Sequence, residues 1–298
     1  MNTLSLYNVV KSYSNHTAVN NVSFDVKPGS IFGLLGPNGA GKTSLIRIIT
    51  RITAADSGMV LINGEPLNAL HPNQIGYMPE ERGLYKKMKV GEQLLYLAQL
   101  KGLSSKEAKA KLVHWMKKFE IQDWWNKQIS DLSKGMGQKV QFIATVVHDP
   151  TLIILDEPFT GLDPVNTNLI KDEIYNLKEK GATILFSTHR MEQVEQICED
   201  IVLINQGQVI LQGNVSQIKN NYKDFKFSIH YSGDLPTNIN LEGIEKETSD
   251  KGSITFKAAD YQHSNQILNE FIKNGVIVQS FNEILPSLNE IFIKKVTQ

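Results

Sequence analysis

The chain has 298 residues, enough for about two domains and a core of ordinary size. Apolar residues make up 41% and charged residues 21%, the formal net charge is zero, and Cys198 is the sole cysteine. This excludes an intrachain disulfide and a cysteine-based metal site, and it argues against nucleic acid as a partner, because binders of nucleic acid carry a basic excess. No run of about 18 apolar residues occurs, so no segment is expected to span a membrane. The start, from Met1 to Leu6, lacks the basic and apolar regions of a secretion signal. The expectation is a cytoplasmic chain, with any membrane-spanning part supplied by another polypeptide.

Residues 4–9 and 22–26 alternate apolar and polar side chains and read as strands. Residues 27–29 turn the chain into an apolar run, 31–35, fit for a buried strand. Gly36, Pro37, Asn38, Gly39, Ala40, Gly41, Lys42 and Thr43 then match the phosphate-loop pattern G-x-x-x-x-G-K-[ST] at every fixed position. Its glycines let the backbone turn its N–H groups toward an anion. Lys42 reaches the β and γ oxygens, and the Thr43 hydroxyl is a magnesium ligand. Ser44 continues into a helix, 44–50, whose positive end faces the phosphates.

Residues 59–62 form a strand closed by the turn pair Asn63 and Gly64. Residues 74–78 are a further strand candidate. From about residue 90 to 148 the pattern turns helical. Ser104 and Glu107 fit a capping box, followed by an apolar stripe of Leu112, Trp115, Met116 and Phe119. Lys109, Lys111, Lys117 and Lys118 read as its solvated face. Trp124 and Trp125 belong either to the core of this insert or to a docking surface for a partner.

Residues 151–155 form a central strand that delivers Asp156 and Glu157 to its carboxyl end, where ligands sit in open α/β sheets. Asp156 is placed to hold magnesium and Glu157 to orient or deprotonate water. Asp163 with Pro164 starts a helix with a stripe of Ile170, Ile174 and Leu177. Strands follow at 183–186, 201–204 and 209–211, with a helix between the first two that carries Cys198 as plain core. Alternating strands and helices imply a parallel α/β sheet. After about residue 215 the pattern loosens, and 219–222 reads as a polar linker. Three strands (225–231, 253–256, 276–278) and two helices (266–273, 287–296) then suggest a small α+β domain. His230 and His263 stand alone and read as ordinary histidines.

Over about residues 4 to 215 the sequence resembles the ATP-binding subunit of ABC transporters. The resemblance is carried, in order, by residues 36–43, 132–136, 152–157, 161–163 and 187–189. It implies an α/β P-loop NTPase of ABC type, with a β-rich layer, a parallel-sheet core and a helical insert at about 88–148. A small α+β accessory domain at 216–298 follows. It also implies ATP and Mg2+ as ligands, a homodimer of the ATPase and an integral-membrane permease as partner. The family signature Leu-Ser-Gly-Gly-Gln reads Leu132, Ser133, Lys134, Gly135, Met136 here. By the resemblance, Ser133 and Gly135 cap the γ-phosphate of ATP on the opposite subunit, and Lys134 either adds charge there or points to solvent. Tyr13 falls where the family stacks an aromatic ring on adenine. His189 matches the switch histidine that contacts the γ-phosphate and keeps Glu157 aligned, and Asp163 matches the link between the two sites of the dimer. Glu80 replaces a glutamine that senses magnesium and the attacking water, and a glutamate there accepts from water or binds magnesium.

Residues 77–85, the altered signature and residues 286–292 look like ATPases of bacterial sodium- or drug-exporter-type systems. One alternative is a non-transport ABC ATPase acting on ribosomes or DNA. It is disfavoured by a single phosphate loop, the absence of sustained heptads and the neutral charge. Another is a regulatory module without turnover, supported only by the changes at Glu80, Lys134 and Met136.

Overall fold

In a computed structural model that describes residues 1–81, 83–233, 241 and 243–297, the first alternating segments run on well beyond their apolar cores. β1 (Leu4–Tyr13) and β2 (His16–Val26) form an antiparallel hairpin. The polar pairs Ser12 with Thr17 and Tyr13 with His16 extend it toward an exposed turn. β3 (Ile31–Leu35) is buried along its whole length. α1 (Lys42–Ile49) follows the phosphate loop and buries Leu45, Ile46, Ile48 and Ile49. β4 (Ser57–Ile62) and β5 (Glu65–Pro66) are joined through Asn63 and Gly64, both at positive φ, as a two-residue hairpin turn requires. β6 (Ile75–Met78) enters the main sheet.

Three helices separate β6 from its sheet partner. These are α2 (Val90–Leu100), α3 (Ser105–Lys118) and α4 (Lys134–Val146). The Ser104 capping box forms at the start of α3, with Glu107 N donating to Ser104 Oγ and Ser104 N donating to Glu107. Trp115, Phe119 and Phe142 cluster between α3 and α4, with ring centroids 5.6 to 6.4 Å apart. Trp125 packs against α2, and Gly91 leaves the room: a Cβ there would lie 2.3 Å from the indole. Trp125 is therefore packing within the insert. Trp124 is half-buried with Lys127 Nζ 5.7 Å from its ring centroid.

The lysine face of α3 is not simply solvated. Lys111 pairs with Asp149, and Lys118 pairs with Glu173, whose side chain is 2% exposed. Glu173 lies on α5 (Pro164–Glu179), one residue from the stripe of Ile170, Ile174 and Leu177. A buried carboxylate needs a partner, and Lys118 reaches in to supply it.

β7 (Leu152–Asp156), β8 (Thr183–Thr188), α6 (Met191–Ile197), β9 (Asp200–Asn205) and β10 (Gln208–Asn214) complete the Met1–Val215 unit. Two sheets result. One has the order β2-β1-β4-β5, and the other has the order β10-β9-β3-β8-β7-β6. The second is parallel from β9 to β6, with β10 added antiparallel at its edge. Residues of both sheets and of α1 share one apolar core, in which Phe24 stacks on Phe32 at 5.3 Å. Cys198 is buried beside β3.

α7 (Val215–Asn221) replaces the expected linker. Its buried residues Val215 and Ile218 are three apart, the spacing of one helix face, and the polar residues around them hid that face. Among its described residues the Ser216–Gln298 unit has four strands where the sequence suggested three. β11 (Lys226–Ser232), β12 (Glu245–Asp250), β13 (Ser253–Lys257) and β14 (Ile277–Ile284) pair antiparallel in the order β12-β13-β11-β14. β12 has no apolar residue and lies at the sheet edge, so no alternation marks it. α8 (Tyr261–Lys273) buries Ile267 and Phe271 in this unit's core, and α9 (Leu288–Thr297) ends the chain.

The insert gives a direct test of packing. Gly91→Ala is expected to destabilise the protein by about 1–3 kcal/mol, the cost of overpacking a rigid ring. Urea unfolding, followed by tryptophan fluorescence, checks it.

Candidate functional site

Four parallel strands end together and so bring four loops to one edge of the main sheet. β3 leads into the phosphate loop, β8 into Thr188 and His189, β7 into Glu157, and β6 into Pro79 and Glu80. The register is nearly flush: Leu35 pairs with Thr188, Asp156 with Ser187, and Met78 with Leu155. An open pocket of about 410 Å3 lies there, lined by Tyr13, Asn38, Gly39, Ala40, Gly41, Lys42, Thr43, Ser44, Glu80, Asp156 and Glu157. These are eleven of the seventeen sequence-predicted site residues, and His16 and Ala18 from β2 join them.

The loop glycines answer to neighbouring backbone. Gly36 (φ 154°) and Gly41 (φ 107°) sit where a Cβ would fall 2.2 Å from Ile204 O and 2.1 Å from Ala18 O. No side chain fits either place, and the conformation itself disfavours one. The turn between β9 and β10 braces the loop: Gly207 N donates to Ala40 O at 2.9 Å, and Asn20 N donates to Gly207 O at 2.8 Å. Lys42 is 7% exposed, and its Nζ donates to Gly36 O at 2.7 Å and to Pro37 O at 3.1 Å. Burial lowers its pKa, against the opposing pull of Glu157, Asp156 and Glu80.

The two carboxylates at the end of β7 are fixed by the end of β8. Asp156 Oδ1 accepts from Ser187 Oγ at 2.7 Å. Glu157 Oε2 accepts from Thr188 Oγ1 at 3.0 Å, and Oε1 accepts from His189 N at 2.8 Å. His189 Nδ1 lies 2.6 Å from the same Oε1, and against an ionised carboxylate it can only donate. Glu157 itself has left-handed backbone, φ 50°, with its N donating to Ser187 O at 2.9 Å. Burial pushes the Asp156 carboxyl up to about 6; Glu157 and Glu80 push the same way, and the Ser187 hydrogen bond and Lys42 oppose them.

α4 ties the loops around these carboxylates to the insert. Gln138 Nε2 donates to Pro158 O at 2.9 Å, and Gln141 Nε2 donates to Pro79 O at 2.8 Å. Both glutamines are 4% exposed. Each therefore holds the residue next to a pocket carboxylate, Glu157 or Glu80.

The other six, Gly36, Pro37, Ser133, Gly135, Asp163 and His189, do not line the pocket. Ser133 caps α4, accepting from Met136 N at 3.2 Å, and is exposed. Asp163 caps α5, accepting from Asn166 N at 2.9 Å. The loops that carry Ser133 and Asp163 touch: the stem of Lys134 lies over Gly161, where a Cβ would be 2.4 Å from its Cδ. Sequence reasoning missed His16, Thr188 and the two glutamines. His16 had a signal in its nearness to Tyr13, its cross-strand partner. The others act through contacts at least twenty residues distant, which no local pattern encodes.

Comparison with known proteins gives the family and agrees with the fold. Residues 19–160 match the family described as ABC transporter, and residues 213–296 match the C-terminal domain of the ATP-binding protein DrrA1-3-like family. The uncharacterized ABC transporter ATP-binding protein YhaQ of Bacillus subtilis (strain 168) is 43% identical over 295 residues, 98% of each chain. The Nod factor export ATP-binding protein I of Cupriavidus metallidurans is 35% identical over 218 residues, 72% of each. A solved structure of the ATP-binding subunit of an ABC transporter superposes with a TM-score of 0.70 at 31% identity, over 74% of this chain and 93% of that one. The chain belongs to the ATP-binding proteins of ABC transporters.

The Asp156 shift sets a pH dependence. The folded carboxyl at about 6 holds its proton more tightly than an ordinary aspartate at 3.8, so stability falls as pH rises between those values. Asp156→Asn removes this titration. In magnesium-free buffer it is expected to gain up to about 3 kcal/mol near about pH 7 and almost nothing near about pH 4. Urea midpoints at the two pH values check it.

Proposed function

We propose that this chain hydrolyses ATP as the paired motor subunit of an export system, closing as a homodimer on Mg-ATP and driving a separate membrane permease from the cytoplasmic face. The observation that carries hydrolysis is the placement of Glu157. Its carboxylate lies at the pocket, held by donors from Thr188 and His189, beside a phosphate loop with a buried lysine. A carboxylate so oriented aligns a water toward the γ-phosphate and takes its proton. His189 stabilises that alignment through Glu157 Oε1.

The residues fit magnesium. Among the described residues no three His, Cys, Asp or Glu side chains gather into a metal cage. Magnesium needs none, because it keeps waters and takes phosphate oxygens as ligands. Thr43 and Asp156 would hold it, with Glu80 at the same pocket, and when bound it supplies positive charge to the β and γ oxygens. The crowding of Asp156 by Glu157 and Glu80 is what a dication offsets. The backbone N–H groups from Asn38 to Ser44 and the Lys42 ammonium would cradle the phosphates, and Tyr13, exposed at the pocket rim, would stack on adenine.

The homodimer is supported by the exposed placement of Ser133 and Asp163 outside the pocket of their own chain. A helix N-terminus with a hydroxyl suits the γ-phosphate of a second copy. The permease is supported by the family and by the fact that no helix among the described residues is long and apolar enough to cross a membrane. Export is supported by the printed function of the Nod factor relative.

Glu157→Gln is expected to bind ATP normally, to lose turnover by at least about a hundredfold, the usual weight of general-base help, and to elute as a dimer with Mg-ATP. Size-exclusion chromatography and phosphate release test this, and wild-type turnover would remove Glu157 from the mechanism. Lys42→Ala is expected to weaken nucleotide binding itself, and unchanged affinity in a fluorescent-nucleotide titration would overturn the assignment of the loop.

A further inference from the structure

Tyr13 stands at the end of a ribbon that has lost one of its neighbours. β4 begins at Ser57, which pairs with Val10, so residues 11–13 of β1 pair with β2 alone. A two-stranded ribbon is marginal by itself. This one is also irregular: its register shifts on both sides of Lys11, and Ser14 in the turn has φ 48°. Tyr13 is the last residue of β1 and is 41% exposed. The ribbon alone does little to fix the direction of such a ring.

Asp56 takes the place of the missing strand. Val10 and Ser12 are two residues apart and turn the same backbone edge toward β4. Asp56 N donates to Val10 O at 2.9 Å, and Asp56 Oδ2 accepts from Ser12 N at 2.7 Å. Its other oxygen, Oδ1, accepts from Lys11 Nζ at 2.6 Å. The Lys11 bond first, and then the Ser12 bond, hold the Asp56 carboxyl below its usual range, so both are charge-assisted at neutral pH. The Lys11 side chain is 15% exposed, and its Nζ lies 5.5 Å from the Tyr13 ring centroid, within the range of a cation–π contact. Tyr13 lines the phosphate-loop pocket and Lys11 does not. The ammonium group therefore meets the ring from outside the pocket and leaves the pocket side to a ligand.

An ion pair this open to water adds little to stability. Its consequence here is placement. One ammonium group bonds Asp56 and touches the ring, and so ties the ring to the segment that follows α1, the helix that starts at the phosphate loop. We propose that Lys11 is a positioning residue for adenine binding: clamped by Asp56, it holds the Tyr13 ring in the orientation on which the base of ATP stacks. This rests on the stacking of Tyr13 on adenine put forward above. It also divides the ligand in two, with the phosphates held by the loop and the base held by the hairpin.

Calorimetry on the full chain measures affinity for Mg-ATP and for magnesium tripolyphosphate, which has the phosphates and no base. Lys11→Met keeps an aliphatic stem and removes the ammonium group. It is expected to weaken Mg-ATP binding about fivefold, the scale of an exposed cation–π contact, and to leave tripolyphosphate binding unchanged. Lys11→Arg is expected to keep both affinities, because a guanidinium group pairs with a carboxylate and stacks on a ring. In a Tyr13→Ala background, Lys11→Met is expected to change nothing further. Equal loss for the two ligands, no loss for Mg-ATP, a Lys11→Arg variant as weak as Lys11→Met, or a full Lys11→Met effect without the Tyr13 ring would each overturn the proposal. Tyr13→Ala alone separates the two readings. If it leaves Mg-ATP affinity intact, the stacking assignment fails and the positioning role fails with it. If it weakens Mg-ATP binding while Lys11→Met does not, only the positioning role fails.

Discussion

A glutamate held in left-handed backbone, with its carboxylate pinned by the neighbouring strand, is the interaction on which the site depends. At φ 50°, Glu157 pays roughly 1–2 kcal/mol of conformational strain. The surrounding structure offsets this. Its N–H is taken by Ser187 O, its carbonyl accepts from Thr160 N, and its carboxylate takes the Thr188 hydroxyl and the His189 amide. Regular extended backbone would carry the residue straight on from β7; the left-handed turn brings it beside β8 instead. Three successive residues, Ser187, Thr188 and His189, then fix Asp156 and Glu157. Since β8 lies between β3 and β7, the same strand that sets the carboxylates also sets their distance from the phosphate loop.

This explains which parts of the site were legible in the sequence. The phosphate loop is written locally, because its chemistry is backbone chemistry and its glycines and lysine fall within eight consecutive residues. Asp156 and Glu157 are equally plain at the end of an apolar run. The reason for Gly36 and Gly41 is not local. They face the carbonyl oxygens of Ile204 and Ala18, from a different strand in each case, and only the assembled sheets show that contact. His16 escaped for a related cause: it enters the pocket through a hairpin whose outer pairs are polar and carry no alternating signal.

The fold shows the same division. Segments with apolar periodicity were recovered as elements, with ends displaced by a few residues. β12 has no apolar residue, and α7 shows only the pair Val215 and Ile218, so neither announced itself. On α3, Lys118 looked like a solvated residue because its partner is over fifty positions away in another helix. A buried Glu173 converts it into a necessary one, since an unpaired carboxylate at 2% exposure would be costly.

α4 joins these local and distant contributions. Its N-cap, Ser133, lies at the surface, and from Gly137, its fourth position, the helix enters the interior. Gln138 and Gln141 are buried amides whose NH2 groups each find a backbone acceptor, while Gln141 Oε1 has no protein partner. The acceptors are Pro158 O and Pro79 O, the backbone on either side of the pocket's acidic rim. Leucine at either place would lack the donor that holds these carbonyls. One helix and two hydrogen bonds therefore connect the exposed start of α4 to the residues next to Glu157 and Glu80. Lys134 lies over Gly161 by its aliphatic stem, and the serine that caps the helix remains.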